Sequence, residues 1–179
     1  THAQAAARDD ALRPLAQAVR ENRQDFAAPP IVPVPRGEDL PLSFAQQRLW
    51  LLDQLEPGNP AYNLASAILL AGPLDRPALA AALDGMAARH EALRTTFGVA
   101  DDSDEEPVQR IAPPAPLPFP GVDLSGLPEA AREAEALRLA AEEMLRPFDL
   151  ARGPLLRAAL LRLDAARHLA LFTLHHMVG

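Results

Sequence analysis

Apolar residues recur along this chain at two spacings, and the points where the spacing changes mark its elements. Over residues 9–26, Leu12, Leu15, Val19 and Phe26 stand near helical spacing with Arg and Glu between them, which predicts a short amphipathic helix. Pro14 blocks the bond to the carbonyl four residues back, so regular helix is predicted from about Arg13. Residues 27–35 read A-A-P-P-I-V-P-V-P, a run that favours extended polyproline geometry and supplies few ladder donors. The expected organisation is therefore a helical segment over 1–26, a Pro-rich linker over 27–39, and a folded lobe from residue 40 onward.

Within that lobe, Ser43 and Gln46 have the S-x-x-Q spacing of a capping box and start a helix. Its predicted inward stripe is Ala45, Leu49, Leu52 and Leu55, and Glu56-Pro57-Gly58 ends it. An apolar strand is predicted over 62–70, then a helix over 77–93 with Leu79, Leu83, Met86 and His90 on one face. Strands over 93–99 and 108–112 flank an acidic tip at 101–106, where mutual repulsion suits a solvated loop. After the Pro-rich stretch 113–120 comes a third helix over 129–146, with Ala130, Ala134, Leu137, Ala141 and Met144 predicted inward. Two apolar strands, 155–163 and 168–174, are suited to the middle of a sheet. The fold class this order implies is α/β, a two-layer lobe of helices on sheet.

Composition narrows the classes of function. The 179 residues include 17 basic side chains, all of them Arg, against 24 acidic ones, for a formal charge of -7. That balance argues against a surface made for nucleic acid or anionic lipid, and 49% hydrophobic residues are enough to build a core. With no cysteine there is no thiolate nucleophile, disulfide or Cys-based zinc site. No secretory pattern opens the chain and no apolar run approaches the roughly 20 residues of a membrane span, so it reads as cytoplasmic.

Three segments carry candidate chemistry. His175 and His176 follow an apolar strand directly, and adjacent residues leave a strand end in different directions. One can lock into the structure while the other serves as general base or acid, or both can be satisfied by backbone partners. A dihistidine metal site lacks a third ligand at supporting spacing. Arg89, His90, Glu91 and Arg94 lie where a helix gives way to a strand, a place for ion pairs and C-cap contacts. Ser43 is a cap rather than a nucleophile, because no G-x-S-x-G elbow surrounds it.

Taken together, S-F-A-Q-Q-R-L-W at 43–50, R-H-E-A-L-R-T-T-F at 89–97 and H-H-M-V-G at 175–179 resemble the first three core motifs of nonribosomal peptide synthetase condensation domains. They stand in that family's order and near its spacing. R-P-F-D-L at 146–150 with G-P-L at 153–155 is similar to its lead-in to the third motif. The resemblance implies the N-terminal lobe of a two-lobe, chloramphenicol-acetyltransferase-like fold with a tunnel between the lobes. It implies an acyl transfer in which an acceptor amine attacks a donor thioester, both tethered through the phosphopantetheine of an upstream donor and a downstream acceptor carrier protein, with no cofactor bound directly. By motif position His176 is the active-site histidine, as general base or positioning group, and His175 is structural. Arg89 or Arg94 would hold the motif's aspartate, which in the family follows the place of Gly179. The sequence thus ends within the HHxxxDG motif, and a lobe alone is expected to be inactive. Ester-forming, starter-acyl and epimerising relatives are alternatives, as is an interaction module in which residues 1–26 dock a partner synthetase chain.

Overall fold

The computed structural model describes residues 30–36, 38–100 and 106–179. The chain divides into two units, Thr1–Pro35 and Arg36–Gly179. In the first, residues 30–35 have no regular structure and are exposed; the helix predicted over 9–26 lies outside the described residues, as does most of the acidic tip.

The second unit holds three helices and two sheets among the described residues. One sheet joins β1 (Leu40–Pro41), β4 (Pro107–Ile111) and β3 (Thr95–Val99) in the order β1-β4-β3, all antiparallel. The other joins β2 (Asn63–Ala71), β7 (Arg167–His175), β6 (Leu156–Arg162) and β5 (Gly121–Asp123) in the order β2-β7-β6-β5. Only β5 runs parallel to its neighbour there. The two strands read as central, β6 and β7, do occupy the middle. Upstream of β1, Arg36 pairs with Glu91, and Asp39 takes a two-point bond from Arg110 at 2.6 and 2.7 Å. The folded unit therefore gathers in residues that sequence composition assigns to the linker.

The helices are α1 (Phe44–Leu55), α2 (Arg76–Arg89) and α3 (Glu129–Leu145). α1 begins on the capping box read from sequence: Ser43 Oγ accepts from Gln46 N at 3.2 Å and Gln46 Oε1 accepts from Ser43 N at 2.9 Å. α2 starts at the N-cap Asp75, whose carboxylate accepts from Ala78 N, and stops at Arg89. A 3₁₀ turn over Glu91–Arg94 follows, so β3 begins at Thr95, two residues after its predicted start.

The inward faces differ from the predicted ones. On α1, Ala45 and Leu55 are exposed while Leu49 and Trp50 pack inward. On α2, Leu83 and Ala87 are buried, whereas Met86 and His90 are exposed. On α3 the predicted stripe is turned outward, Leu137 being 72% exposed; Ala136, Leu139 and Ala140 pack against Leu161 and Leu171 of the central strands. α3 has apolar residues on both sides, and the choice falls to the side that lets Glu143 meet Arg157 of β6. A second core cluster, Leu42, Phe97, Phe148, Leu150, Leu155 and Met177, lies under the end of β7, where the candidate site is built.

Candidate functional site

β7 closes on His175, and a 3₁₀ turn over His176–Val178 follows at once. The strand register and the turn send the two histidines to different surroundings. His175 is only 4% exposed. Its backbone N–H donates to Leu155 O at 3.0 Å, and its Nδ1 accepts from Met177 N at 3.2 Å. Tyr62 and Phe148 pack on the ring, with centroids 6.3 and 5.9 Å away, Phe148 edge-on. Burial lowers the His175 pKa and repulsion from His176 adds to this, both favouring the neutral ring. Neutrality is also what the geometry requires, because Nδ1 can accept from Met177 only without a proton of its own.

His176 opens the turn and its side chain is exposed, while the next residue, Met177, is 3% exposed and anchors the turn in the core. The histidine is presented by its neighbours on both sides. Gly179, the cap of the turn, sits close to Leu64 and Leu174, and a Cβ there would lie 3.1 and 3.2 Å from their methyl groups.

Segments far apart in sequence meet beneath this turn. From α1, Gln46 Nε2 donates to Met177 O at 3.5 Å, and Leu49 and Trp50 border the core cluster that holds Met177. From β3, Phe97 enters the same cluster, and its N–H donates to Leu150 O at 2.8 Å. From the segment after α3 come Phe148, Leu150 and Leu155. The three motifs and the lead-in segment are thus faces of one packed unit, with His176 at its edge.

The arginines singled out by sequence stand elsewhere. Arg89 lies in the last turn of α2, exposed. Arg94 donates to Ala112 O and lies 3.5 Å from the Glu91 carboxylate. Its side chain is 18% exposed, and its Nε is buried with no partner among the described residues. A cavity of about 300 Å³ lies beside it, walled largely by the Pro-rich segment before β5. No hydrogen bond or ion pair among the described residues links either arginine to the histidines. Among the described residues no three His, Asp or Glu side chains gather to hold a metal ion, and no described helix is long and apolar enough to cross a membrane.

Sequence reasoning passed over Gln46, Met177 and Phe148 as supports of the histidine turn. Gln46 did carry a signal, as the reciprocal member of the capping box, but its second bond spans 131 positions and leaves no local trace.

Comparison with known proteins gives a consistent set of matches. Residues 37–179 match the family model described as condensation domain. A linear gramicidin synthase protein of Brevibacillus parabrevis is 52% identical over 150 residues, which are 84% of this chain and 2% of that protein. Phosphinothricin tripeptide synthetase PhsC of Streptomyces viridochromogenes is 47% identical over 174 residues, 94% of this chain and 16% of that one. Among solved structures, the starter condensation domain of rhizomide synthetase RzmA superposes with a TM-score of 0.67 at 32% identity, over 79% of this chain and 33% of that chain. The first condensation domain of the calcium-dependent antibiotic synthetase, in complex with a substrate analogue, gives 0.69 at 30% identity over 79% and 35%. The chain spans a small part of these curated relatives and about a third of these solved domains.

Proposed function

Since the chain belongs to the condensation-domain family, we propose that it supplies the histidine-bearing lobe of a domain that joins a carrier-bound acyl thioester to a carrier-bound aminoacyl group through an amide. In this reaction the acceptor amine attacks the thioester carbonyl carbon, a C–N bond forms, the C–S bond breaks, and the proton shed by nitrogen ends on the departing thiolate. His176 is the group to take that proton or to hold the amine, an imidazole nitrogen being suited to either task. His175 acts through structure.

The observation that carries this reading is the division between the two histidines: one buried, neutral and bonded to the backbone of the turn, the other exposed at the turn's first residue. Strand alternation already turns neighbouring side chains to opposite faces; what it does not require is the bond from Met177 N to the buried ring, which fixes the turn on which His176 is presented.

The motif's aspartate, following the place of Gly179 in the family, is held by Arg94 in preference to Arg89. The buried, unpartnered Nε of Arg94 supports this choice, because a buried cationic donor left unmatched is costly. The donor and acceptor arrive on the phosphopantetheine arms of upstream and downstream carrier proteins in the cytoplasm. Residues 36–179 act as the lobe, the Pro-rich residues before them as linker, and 1–26 as a docking or inter-domain segment. A lobe by itself lacks the facing wall of the tunnel and does not turn over, because rate depends on holding both reactants in register.

The test is single-turnover amide formation by an intact two-lobe domain with both carriers loaded. His176→Ala should lower the rate by roughly 10²–10⁴-fold with the melting temperature unchanged. Near-normal product from a destabilised variant would move the main role away from His176.

A further inference from the structure

Behind His175 lies a side chain whose connections exceed what the strand it sits on requires. Arg157 is the second residue of β6, and its side chain is 15% exposed. Its guanidinium meets the Glu143 carboxylate through Nε, donates to the carbonyls of Glu143 and Arg146 at 3.1 and 2.8 Å, and donates to that of Pro147 at 3.1 Å. These carbonyls belong to the last turn of α3 and the residues just after it, where a helix leaves its acceptors unserved. With its edge so engaged, the guanidinium lies over the Phe148 ring at 3.7 Å from the centroid. Phe148 in turn stands edge-on to His175, and His175 Nδ1 holds Met177 N, the second residue of the turn that begins at His176.

We propose that Arg157 is a positioning residue for the histidine turn, setting the Phe148 ring on which His175 rests and through it the direction of His176. This rests on the assignment of His176 given above. Arginine suits the role because its planar fork can bond several acceptors in one plane while its flat face stacks on an aromatic ring; a lysine ammonium keeps the charge and loses both features.

Capping of α3 alone does not account for Arg157. Asn63 Nδ2, at the start of β2, already donates to Met144 O at 2.8 Å and Arg146 O at 2.9 Å. The helix end therefore has two caps that share the Arg146 carbonyl, and only the one supplied by Arg157 also stacks on Phe148. That difference provides a control, since removing the Asn63 side chain takes one donor from the helix end and leaves the Arg157 bonds and its stack on Phe148 in place.

The experiment compares Arg157→Lys, Phe148→Leu, their combination and Asn63→Ala in an intact two-lobe domain, by single-turnover amide formation corrected for folded protein. It is paired with nitrogen-15 NMR of the histidines, in which a hydrogen-bonded Nδ1 acceptor has its own signature. Arg157→Lys and Phe148→Leu should each lower the rate about 10- to 100-fold with little change in the carrier concentration giving half-maximal rate. The double variant should be no slower than the worse single one, because both act through one ring. Both should also shift the His175 Nδ1 signal, while Asn63→Ala lowers stability and leaves rate and signal in place. A lysine variant with wild-type rate and signal overturns the proposal, as do multiplicative losses in the double variant or a loss in Asn63→Ala equal to that of Arg157→Lys. Should Arg157→Lys fold poorly, Phe148→Leu and the His175 signal decide. A wild-type domain that makes no amide yet shows the Nδ1 shift on Arg157→Lys would sink the functional assignment and leave the positioning contact standing.

Discussion

Replacing Met177 by alanine deletes a side chain that is 3% exposed while leaving both backbone bonds of the residue in place, the N–H to His175 and the carbonyl to Gln46. The variant therefore separates packing from hydrogen bonding at the turn that presents His176. Losing the transfer free energy of a buried Met costs about 2 kcal/mol. The cavity adds to this in proportion to how little its walls relax. Phe97, Phe148, Leu150 and Leu155 are themselves buried and form the stiff side of the cluster, with Leu155 fully enclosed. Leu49, Trp50 and Val178 are partly buried and can move in from the edge. With one side rigid and one side yielding, the expected total is about 3 kcal/mol, inside the range of about 2–5 for such truncations. Urea unfolding of an intact two-lobe domain, followed by circular dichroism, measures it as a shift of midpoint at constant slope. Single-turnover amide formation on the same protein should fall as well, because the turn loses its anchor while keeping its bonds. A stability loss below about 1 kcal/mol together with an unchanged rate would refute the claim that this cluster holds the turn.

Further outcomes follow from the same geometry. Gly153 has φ +59°, and a Cβ there would lie 3.0 Å from Thr96 Cγ2, so Gly153→Ala should cost about 2–3 kcal/mol, read as a lower melting temperature. His175 binds its proton less readily folded than unfolded, so its contribution to stability is present above the ordinary histidine value of 6.5 and is lost as pH falls toward the depressed folded value. The difference in unfolding free energy between wild type and His175→Asn should therefore shrink from about pH 8 down to about pH 5, and a constant difference would refute it. Arg94→Ala in an intact domain should be poorly soluble or strongly destabilised, about 3–5 kcal/mol if it leaves a buried carboxylate unpaired, while Arg89→Ala stays within ordinary surface values. Equal, mild effects at both positions would contradict the choice between them.

Elements that announce themselves locally were legible in the sequence. The capping box at Ser43 and Gln46, the helix-start Pro77 and the continuous apolar runs of β2, β6 and β7 each carry their signal within a few residues, and each element formed. The strands missed are those too short for a period to develop, β1 with two residues and β5 with three. Both are held by pairing to distant strands, with Leu40 opposite Gln109 and Gly121 opposite Leu160. Helix faces were the larger error. In α3 the outward Ala130, Ala134, Leu137, Ala141 and Met144 make as good an apolar stripe as the inward Ala136, Leu139 and Ala140, and periodicity alone cannot rank them. The inward side carries Glu143, which counts against it in sequence and in its favour in space, because Arg157 waits on β6.

The same contrast explains the site. A pair of histidines at a strand end is visible in the sequence, but their unequal surroundings come from residues about 20 to 130 positions away: Leu155, Phe148, Phe97 and Gln46. Because several independent contacts hold the turn, removing one apolar contact should grade the function rather than abolish it, the remaining bonds still constraining the backbone. Removing a group that leaves a buried polar partner unmatched is different in kind, since the orphaned donor or acceptor must either find water or pull the structure open. On that distinction Met177→Ala should yield a slower, softer domain. Truncating Arg157 to alanine, by contrast, would take its donors from the Glu143 carboxylate and from the Glu143 and Pro147 carbonyls at once, with only Arg146 O keeping a bond from Asn63, and should cost more stability than its single position on β6 suggests.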